Sequence, residues 1–149
     1  MRPVCLRVDG MRRDETLDFA DAQSYVGVDY VPGVYDCAHL FVDVQRQVFG
    51  RAVQLPTEHP QGRAGQAAQV QRLRDEIAVR IPEPQHGCAV LITSPDDAGH
   101  LVWHIGTVFV FRGDTWVLHN SRVMASASLN RLRDFAWRGQ KIEGFYQCK

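Results

Sequence analysis

Residues 101–119 read LVWHIGTVFVFRGDTWVLH, two runs rich in β-branched and aromatic residues on either side of a Gly113-Asp114 pair. Such runs favour β-strands, and a glycine beside an aspartate between them is typical of a tight hairpin turn. The pattern predicts a strand over 101–111 and a return strand over 115–119. We expect these two strands to pair in antiparallel.

Two histidines lie on this hairpin, His104 on the first strand and His119 at the end of the second. Because side chains alternate along a strand, a two-residue loop puts both imidazoles on one face. One such register sets His119 opposite Gly106 and diagonal to His104, where the two rings can meet and the glycine leaves room. A single histidine in a strand is usually a core residue, whereas two on one face of a hairpin favour a functional site.

An amphipathic helix is predicted well before the hairpin. Its apolar residues recur at i, i+3, i+4, i+7 and i+11, the spacing of a helix buried along one side: Cys37, Leu40, Phe41, Val44 and Val48. Asp36 stands where an N-cap belongs, and Gly50 stands where the helix should end. The pattern predicts a helix that begins at Cys37 and ends before Gly50.

Other elements are expected on both sides of this helix. A helical pattern stops at Gly27, and a turn-rich loop then leads to Asp36. The remaining predictions are a loop at the start of 56–69, a helix over 66–80, a buried strand over 88–93 and a short strand over 141–147. Because helices come first and antiparallel strands follow, we predict an α+β fold in a single domain, residues 1–149.

Length and composition are those of one ordinary globular domain. The chain has 149 residues, 45% hydrophobic and 23% charged, with 17 basic and 17 acidic residues and no formal net charge. A neutral chain with scattered arginines has no field that attracts nucleic acid or an anionic membrane, so neither is expected as a partner. No run approaches the ~20 apolar residues of a membrane span, and charges interrupt the first residues, so we expect synthesis in the cytoplasm without a signal peptide.

Four cysteines, Cys5, Cys37, Cys88 and Cys148, have no Cys-x-x-Cys spacing, so no structural metal site is expected. Cys37 begins a helix, where unpaired N–H groups and the helix dipole favour a negative charge. Such groups and a nearby imidazolium lower a thiol pKa from about 8.5 to ~3.5–7.5. Cys37 is therefore either a reactive thiolate or a small buried hydrophobe, whereas Cys88 is expected to be a core thiol.

Three segments, in this order, resemble the NlpC-type cell-wall peptidases, papain-like cysteine enzymes that cut peptidoglycan stem peptides. They are YVGVDYVPGVYDCAHLFVDVQRQVFGRAVQLP (25–56), HIGTVFVFRGDTWVLHN (104–120) and IEGFYQ (142–147). The last segment is similar to the closing segment of small phage-encoded members. The resemblance implies a papain-like core, in which the helix that bears the nucleophile packs on a central antiparallel sheet.

The resemblance also implies roles for individual residues. Cys37 would be the nucleophile, His104 its base and His119 the polar group that orients the base. Tyr30 matches an aromatic residue that frames the substrate, although it is equally explained as a loop-packing residue. Asp36 matches an acid that contacts the substrate amine, a role compatible with capping the helix. No metal and no cofactor are implied.

The activity implied by the resemblance is hydrolysis of an amide bond in peptidoglycan stem peptides by a phage-tail-associated enzyme. Expected partners are therefore the stem peptide and proteins of a phage tail or a secretion machine, and the expected places of action are the virion tail and the periplasm. Two departures from the family pattern, Ala38-His39 and Gly87-Cys88, leave alternatives open. The departures motivate a non-catalytic tail-assembly or wall-binding module. An inter-bacterial amidase effector and an acyl-transferring or lipid-directed relative are further alternatives that the sequence leaves open.

Overall fold

The structure is a computed structural model that describes residues 8–54, 78–95 and 98–148, with side chains from residue 15 onward. These residues contain two α-helices, six β-strands and two single-turn 3-10 helices (Leu132–Asp134 and Ala136–Arg138) between the last two strands: α1 (Val8–Tyr25), α2 (Cys37–Gln47), β1 (Ala78–Ile81), β2 (Ala89–Pro95), β3 (Leu101–Phe111), β4 (Asp114–Ser121), β5 (Ser126–Arg131) and β6 (Lys141–Cys148). The fold is α+β, as predicted. Neither described α-helix is long and apolar enough to cross a membrane.

The six strands form one antiparallel sheet in the order β1-β6-β2-β3-β4-β5. Strands β3 and β4 are joined by Arg112 and Gly113, which have φ angles of 52° and 80°. Positive φ at both central residues is the type I′ turn that matches the twist of paired strands. Gly106 lies opposite His119, so the predicted hairpin and its register are both confirmed.

Helix α2 also forms as the sequence predicts. Asp36 is its N-cap, because the carboxylate oxygen Oδ1 accepts hydrogen bonds from the backbone N–H groups of Ala38 and His39, both at 3.1 Å. Gly50 follows the helix with a φ of 66°. All five residues of the predicted apolar stripe are buried, at 5% exposure or less. The buried stripe attaches the helix to the sheet.

Two parts of the sheet differ from the expectation. Residues 78–80 are not the end of a helix, because Ala78–Ile81 form β1, which pairs with β6 at the sheet edge. The other missed strand is β5, whose sequence SASLNR is mostly polar and lacks the usual strand signal, yet it pairs with β4 over its whole length. The rest of the predicted helix over 66–80 and the loop at 56–69 lie outside the described residues.

The sheet packs on both faces, and alternate residues of β3 belong to different layers. On the helix face, Ile105 packs with Cys37 and Phe41 of α2, and Phe109 packs with other residues of that helix. On the opposite face, Val108 packs in a cluster with Phe135, from the segment between β5 and β6. Because side chains alternate along a strand, His104, the residue before Ile105, points to the sheet face opposite the helix.

Candidate active site

The first turn of α2 leaves one backbone donor available beside Cys37. The N–H groups of Ala38 and His39 donate to the Asp36 carboxylate, and the N–H of Leu40 donates to the Asp36 carbonyl oxygen. The imidazole of His39 also contacts the Asp36 carboxylate, at 2.7 Å. Within the described residues, the Cys37 N–H is the first-turn donor that is bonded to no oxygen, and it lies against its own sulfur.

The thiol of Cys37 is neutral at physiological pH. The side chain is 4% exposed, and this burial raises the pKa of the thiol to about 12. The backbone N–H groups of Ile105, Ala38 and Cys37 itself act in the opposite direction, since they stabilise the thiolate, but burial outweighs them. Of the two alternatives that the sequence left open for Cys37, the resting structure therefore matches the buried, neutral thiol rather than the thiolate.

The two histidines of the hairpin meet as predicted. Nε2 of His104 lies 2.8 Å from Nδ1 of His119, and the rings are edge to face with centroids 4.9 Å apart. Gly106 makes this pairing possible, because a Cβ atom there would lie 2.5 Å from Val117 Cγ1 and 3.3 Å from His119 Cβ. A larger residue at position 106 would force the strands or the second ring to move.

Both imidazoles are neutral at pH 7. Burial lowers the pKa of His104 to about 3, and the neighbouring His119 lowers it further. Burial also lowers the pKa of His119 to about 4, although its hydrogen bond to Asn130 opposes the shift. Each ring in this pair therefore carries one proton, which must be on one of its two nitrogens.

Two residues of β5 contact His119 and so extend the hydrogen bonding of the two histidines. Neither was predicted from the sequence. The ring nitrogen Nε2 of His119 lies 2.8 Å from Asn130 Oδ1 and 3.3 Å from Ser128 Oγ. Ser128 is directly opposite His119 in the sheet, and Asn130 is two residues farther along. Both belong to the polar strand that lacks the usual strand signal, so its pairing with β4 had to be known before either residue could be recognised.

Cys37 lies beside the strand that carries His104, but its sulfur is not bonded to an imidazole. Its sulfur accepts from the backbone N–H of Ile105, the residue directly after His104. The imidazole of His119 packs on the other sheet face, with its ring 5.1 Å from that of Phe135. Within the described residues, no hydrogen bond joins Cys37 to His104 or His119. The structure therefore pairs the two histidines and brings the thiol only to the adjacent backbone.

Tyr30 and Asp36, the two residues expected to bind substrate, both hold the loop that leads to Cys37. The backbone N–H of Tyr30 donates to the carbonyl of Ala125 at 3.0 Å, which fastens this loop to the turn between β4 and β5. Asp36 is 1% exposed and caps α2. Capping accounts for Asp36 in this structure, and contact of either residue with a substrate stays a prediction.

Another histidine and another cysteine serve as structural residues. His86 accepts a hydrogen bond from the backbone N–H of Val110 at Nδ1 and contacts the carboxylate of Asp18 at Nε2, both at 2.9 Å. Cys88 is 2% exposed and lies in the core, as predicted. Burial raises the pKa of the Cys88 thiol to about 11. Cys37, Cys88 and Cys148 all carry free thiols.

Among the residues that the structure describes, no three His, Cys, Asp or Glu side chains are grouped so that they could hold a metal ion. The chain matches no known family model, no curated protein and no solved structure.

Proposed function

We propose that this protein is a cysteine hydrolase in which Cys37 is the nucleophile and His104 is the general base. The observation that carries this proposal is that, among the described residues, one ring nitrogen of His104 is hydrogen-bonded and the other is not. Nε2 is bonded to His119, whereas Nδ1 makes no hydrogen bond within the described residues. A general base needs an available lone pair and a partner that holds the ring. The Cys37 sulfur lies against the backbone N–H of Ile105 on the helix face of β3, whereas the His104 side chain leaves the strand on the opposite face. The proposed proton transfer therefore requires the thiol or the ring to move around the strand.

The proposed reaction begins when the Cys37 thiol gives its proton to Nδ1 of His104 and the sulfur bonds to an amide carbonyl carbon. The carbon–nitrogen bond then breaks, and the leaving amine takes the proton from His104. Water next attacks the thioester while giving a proton to His104, and the carbon–sulfur bond breaks. The proton returns to the sulfur, so thiol and imidazole are both regenerated.

The Cys37 N–H is the proposed donor to the oxygen of the tetrahedral intermediate. Ala38 and His39 are already committed to the Asp36 carboxylate, so their N–H groups are not available. A backbone donor fixed at a helix start needs no reorganisation as negative charge develops on the oxygen. The first turn of a helix offers several unpaired N–H groups, and the Asp36 cap leaves that of Cys37 for this role.

The resting thiol and imidazole are both neutral, so the proposed mechanism does not begin from a thiolate–imidazolium pair. The pKa of Cys37 is raised to about 12 and that of His104 is lowered to about 3, in both cases chiefly by burial. We expect the proton to move from the Cys37 thiol to His104 while the sulfur–carbon bond forms. The positive charge that develops on the imidazole is then offset by the negative charge that develops on the carbonyl oxygen. This places the base function of His104 in the chemical step itself.

The proposed substrate is an amide bond of a bacterial peptidoglycan stem peptide, and the proposed setting is a phage tail. Both follow the resemblance to NlpC-type peptidases, with their papain-like core. The antiparallel hairpin that carries the two histidines, packed beside a helix that begins at Cys37, supports this assignment. Delivery of the same enzyme into a rival bacterium would use identical chemistry.

The proposal is tested by incubating peptidoglycan sacculi with the purified protein and two cysteine variants, and by identifying released fragments by mass spectrometry. The wild type and Cys88→Ala should release muropeptides with new free amines, because Cys88 is a buried core thiol with no role in the proposed reaction. Cys37→Ala should release none. Equal release by the wild type and Cys37→Ala would exclude Cys37 as the nucleophile.

A second candidate is a non-catalytic module that binds the cell wall or a tail protein. It is favoured by the burial of Cys37, which is 4% exposed and has its thiol pKa raised to about 12. In that case the wild type and Cys37→Ala should sediment equally with sacculi, and neither should release fragments. The same incubation therefore separates the two candidates.

A further inference from the structure

We infer that Asn130, oriented by Arg138, determines which nitrogen of His104 is free to accept a proton. Asn130 is thus a positioning residue for the base, a role that rests on the proposed hydrolase function. The chain of contacts is Arg138 to Asn130, Asn130 to His119, and His119 to His104. Each contact restricts where the next group can carry its hydrogen.

The first step is the orientation of the Asn130 amide. Arg138 Nη1 lies 3.4 Å from Asn130 Oδ1, and Ser128 Oγ lies 3.0 Å from the same atom. A guanidinium has only donors, so the amide atom that faces it must be the oxygen rather than the NH₂ group. The Ser128 hydroxyl can donate to that oxygen as well. Two donors therefore hold the amide in one of its two possible orientations.

In the second step, the orientation of the Asn130 amide fixes which nitrogen of His119, and then of His104, carries a hydrogen. Because Asn130 Oδ1 accepts at 2.8 Å from His119 Nε2, that nitrogen carries the hydrogen. The neutral His119 ring then has a lone pair on Nδ1, which accepts at 2.8 Å from His104 Nε2. His104 consequently carries its hydrogen on Nε2 and has its lone pair on Nδ1. That nitrogen is the base in the proposed reaction.

If the Asn130 amide were flipped, both hydrogen bonds between Asn130 and His104 would reverse their direction. The NH₂ group would donate to His119 Nε2, so His119 would carry its hydrogen on Nδ1 and donate it to His104. His104 would then carry its hydrogen on Nδ1, where it could not accept a proton from a thiol. His119 is 1% exposed and its ring lies 5.1 Å from that of Phe135, so its ring nitrogens have protein partners rather than bulk water.

The neutral state that this relay needs is also supported by the surroundings of the second ring. Burial lowers the pKa of His119 to about 4, and the positive charge of Arg138 acts in the same direction. Arg138 therefore has two effects: it orients the amide and it disfavours a second proton on the neighbouring ring.

The relay is tested directly by ¹⁵N NMR of the imidazole nitrogens in the full chain, which distinguishes protonated from unprotonated nitrogens without any substrate. The wild type should show the hydrogen on Nε2 in both His104 and His119. A hydrogen on Nδ1 of either ring would overturn the inference. If the spectrum is as expected but sacculi are not cleaved, the hydrolase proposal fails and the assignment of the two nitrogens stands.

Substitutions at position 130 separate positioning from simple packing. Asn130→Asp should keep both hydrogens on Nε2, because both oxygens of a carboxylate accept. Asn130→Leu, of similar volume but without an acceptor, should give a mixture of tautomers and at least a tenfold loss of kcat with KM little changed. Wild-type tautomers and wild-type kcat in Asn130→Leu would overturn the inference.

Arg138 provides a test that does not disturb the core, because its side chain is exposed. Arg138→Met should release the amide and show a minor population with the hydrogen on Nδ1 of His119, together with a smaller loss of kcat. The matched control is Arg133→Met, another exposed arginine in the segment between β5 and β6. If both variants keep the wild-type spectrum, Arg138 does not orient the amide.

Discussion

His86 and His104 show how two histidines on the same sheet differ in what they can do. Both nitrogens of His86 are engaged, one by the backbone N–H of Val110 and one by the carboxylate of Asp18. His104 has one nitrogen engaged by His119 and one without a hydrogen bond within the described residues. A saturated ring can only hold structure together, whereas a ring with one free lone pair can also accept a proton.

The partners of the two rings differ in the same sense. Asp18 is an acidic partner for His86 and is 1% exposed, so this contact ties α1 to the segment before β2. The partner of His104 is another neutral ring, which orients it without adding charge. The comparison therefore separates a structural histidine from a candidate base on contacts alone, and the following experiments test that separation.

The largest difference is expected in catalysis. His104→Ala should lower the hydrolysis rate by about 10²–10⁴-fold, since it removes the base. His86→Leu should retain the wild-type rate per folded molecule under the same conditions. The measurement is release of muropeptides from sacculi by protein whose folding has been checked by circular dichroism. Equal losses in the two variants would end the distinction drawn between the two rings.

His119→Asn should cause a smaller loss than His104→Ala, roughly tenfold to a hundredfold, because an amide oxygen can still accept from His104 but holds the ring less well. The comparison uses kcat under saturating substrate. A loss as large as that of His104→Ala would mean that the second ring takes part in the chemistry itself and the two roles are wrongly assigned.

For conformational stability at neutral pH, we expect His86→Leu to have a larger effect than His104→Ala. His86→Leu should lower the free energy of unfolding by about 1–3 kcal/mol, because the Val110 N–H and the buried Asp18 carboxylate each lose a partner. Urea unfolding at pH 7 measures this change. A variant as stable as the wild type would show that water or a neighbouring group replaces the ring at no cost.

The pH dependence of stability distinguishes the neutral pair further. The folded state lowers the pKa values of His104 and His119 from 6.5 to about 3 and about 4, so below pH 6.5 the unfolded chain binds protons that the folded chain does not. Stability should therefore fall as the pH drops from about 7 to 4, by about 1.4 kcal/mol per pH unit for each proton taken up.

His119→Asn should reduce the slope of this fall because it removes one of the two groups. Urea midpoints measured at several pH values would reveal it. An unchanged slope in the variant would show that the acid sensitivity arises elsewhere in the chain.

The smallest expected effect concerns the thiols. Iodoacetamide at neutral pH should modify the half-buried Cys148 before Cys37 and Cys88, which are buried and have pKa values raised to about 12 and about 11. Peptide mapping of briefly treated protein gives the order. Fastest labelling of Cys37 would mean that its thiolate is populated at rest and that the helix terminus outweighs burial.

Several features of this fold were predictable because they depend on local patterns. The apolar spacing from Cys37 onward, the cap at Asp36 and the turn at Gly113 are each decided within a few residues. The register that sets His119 opposite Gly106 followed from the length of that turn. By contrast, β5 has a polar sequence, and its pairing depends on the exposed edge that β4 offers, so local sequence does not reveal it.

The same division applies to the candidate site. Sequence alone was sufficient to select Cys37, His104 and His119 as candidate residues and to predict that the two rings meet, since strand alternation is a geometric rule. The sequence left the charge of the Cys37 thiol open, because a helix terminus lowers a thiol pKa only if burial does not raise it more. Asn130 was missed, because its role exists only once β5 lies beside β4.

By itself, therefore, the amino-acid sequence determined the helix that begins at Cys37, the hairpin and the face that its two histidines share, because each follows from short-range periodicity and turn chemistry. Only the tertiary structure decided the protonation of those groups and the relay from Arg138 through Asn130. Both depend on burial and on contacts between strands that are distant in the sequence, and short sequence patterns do not reveal either of these.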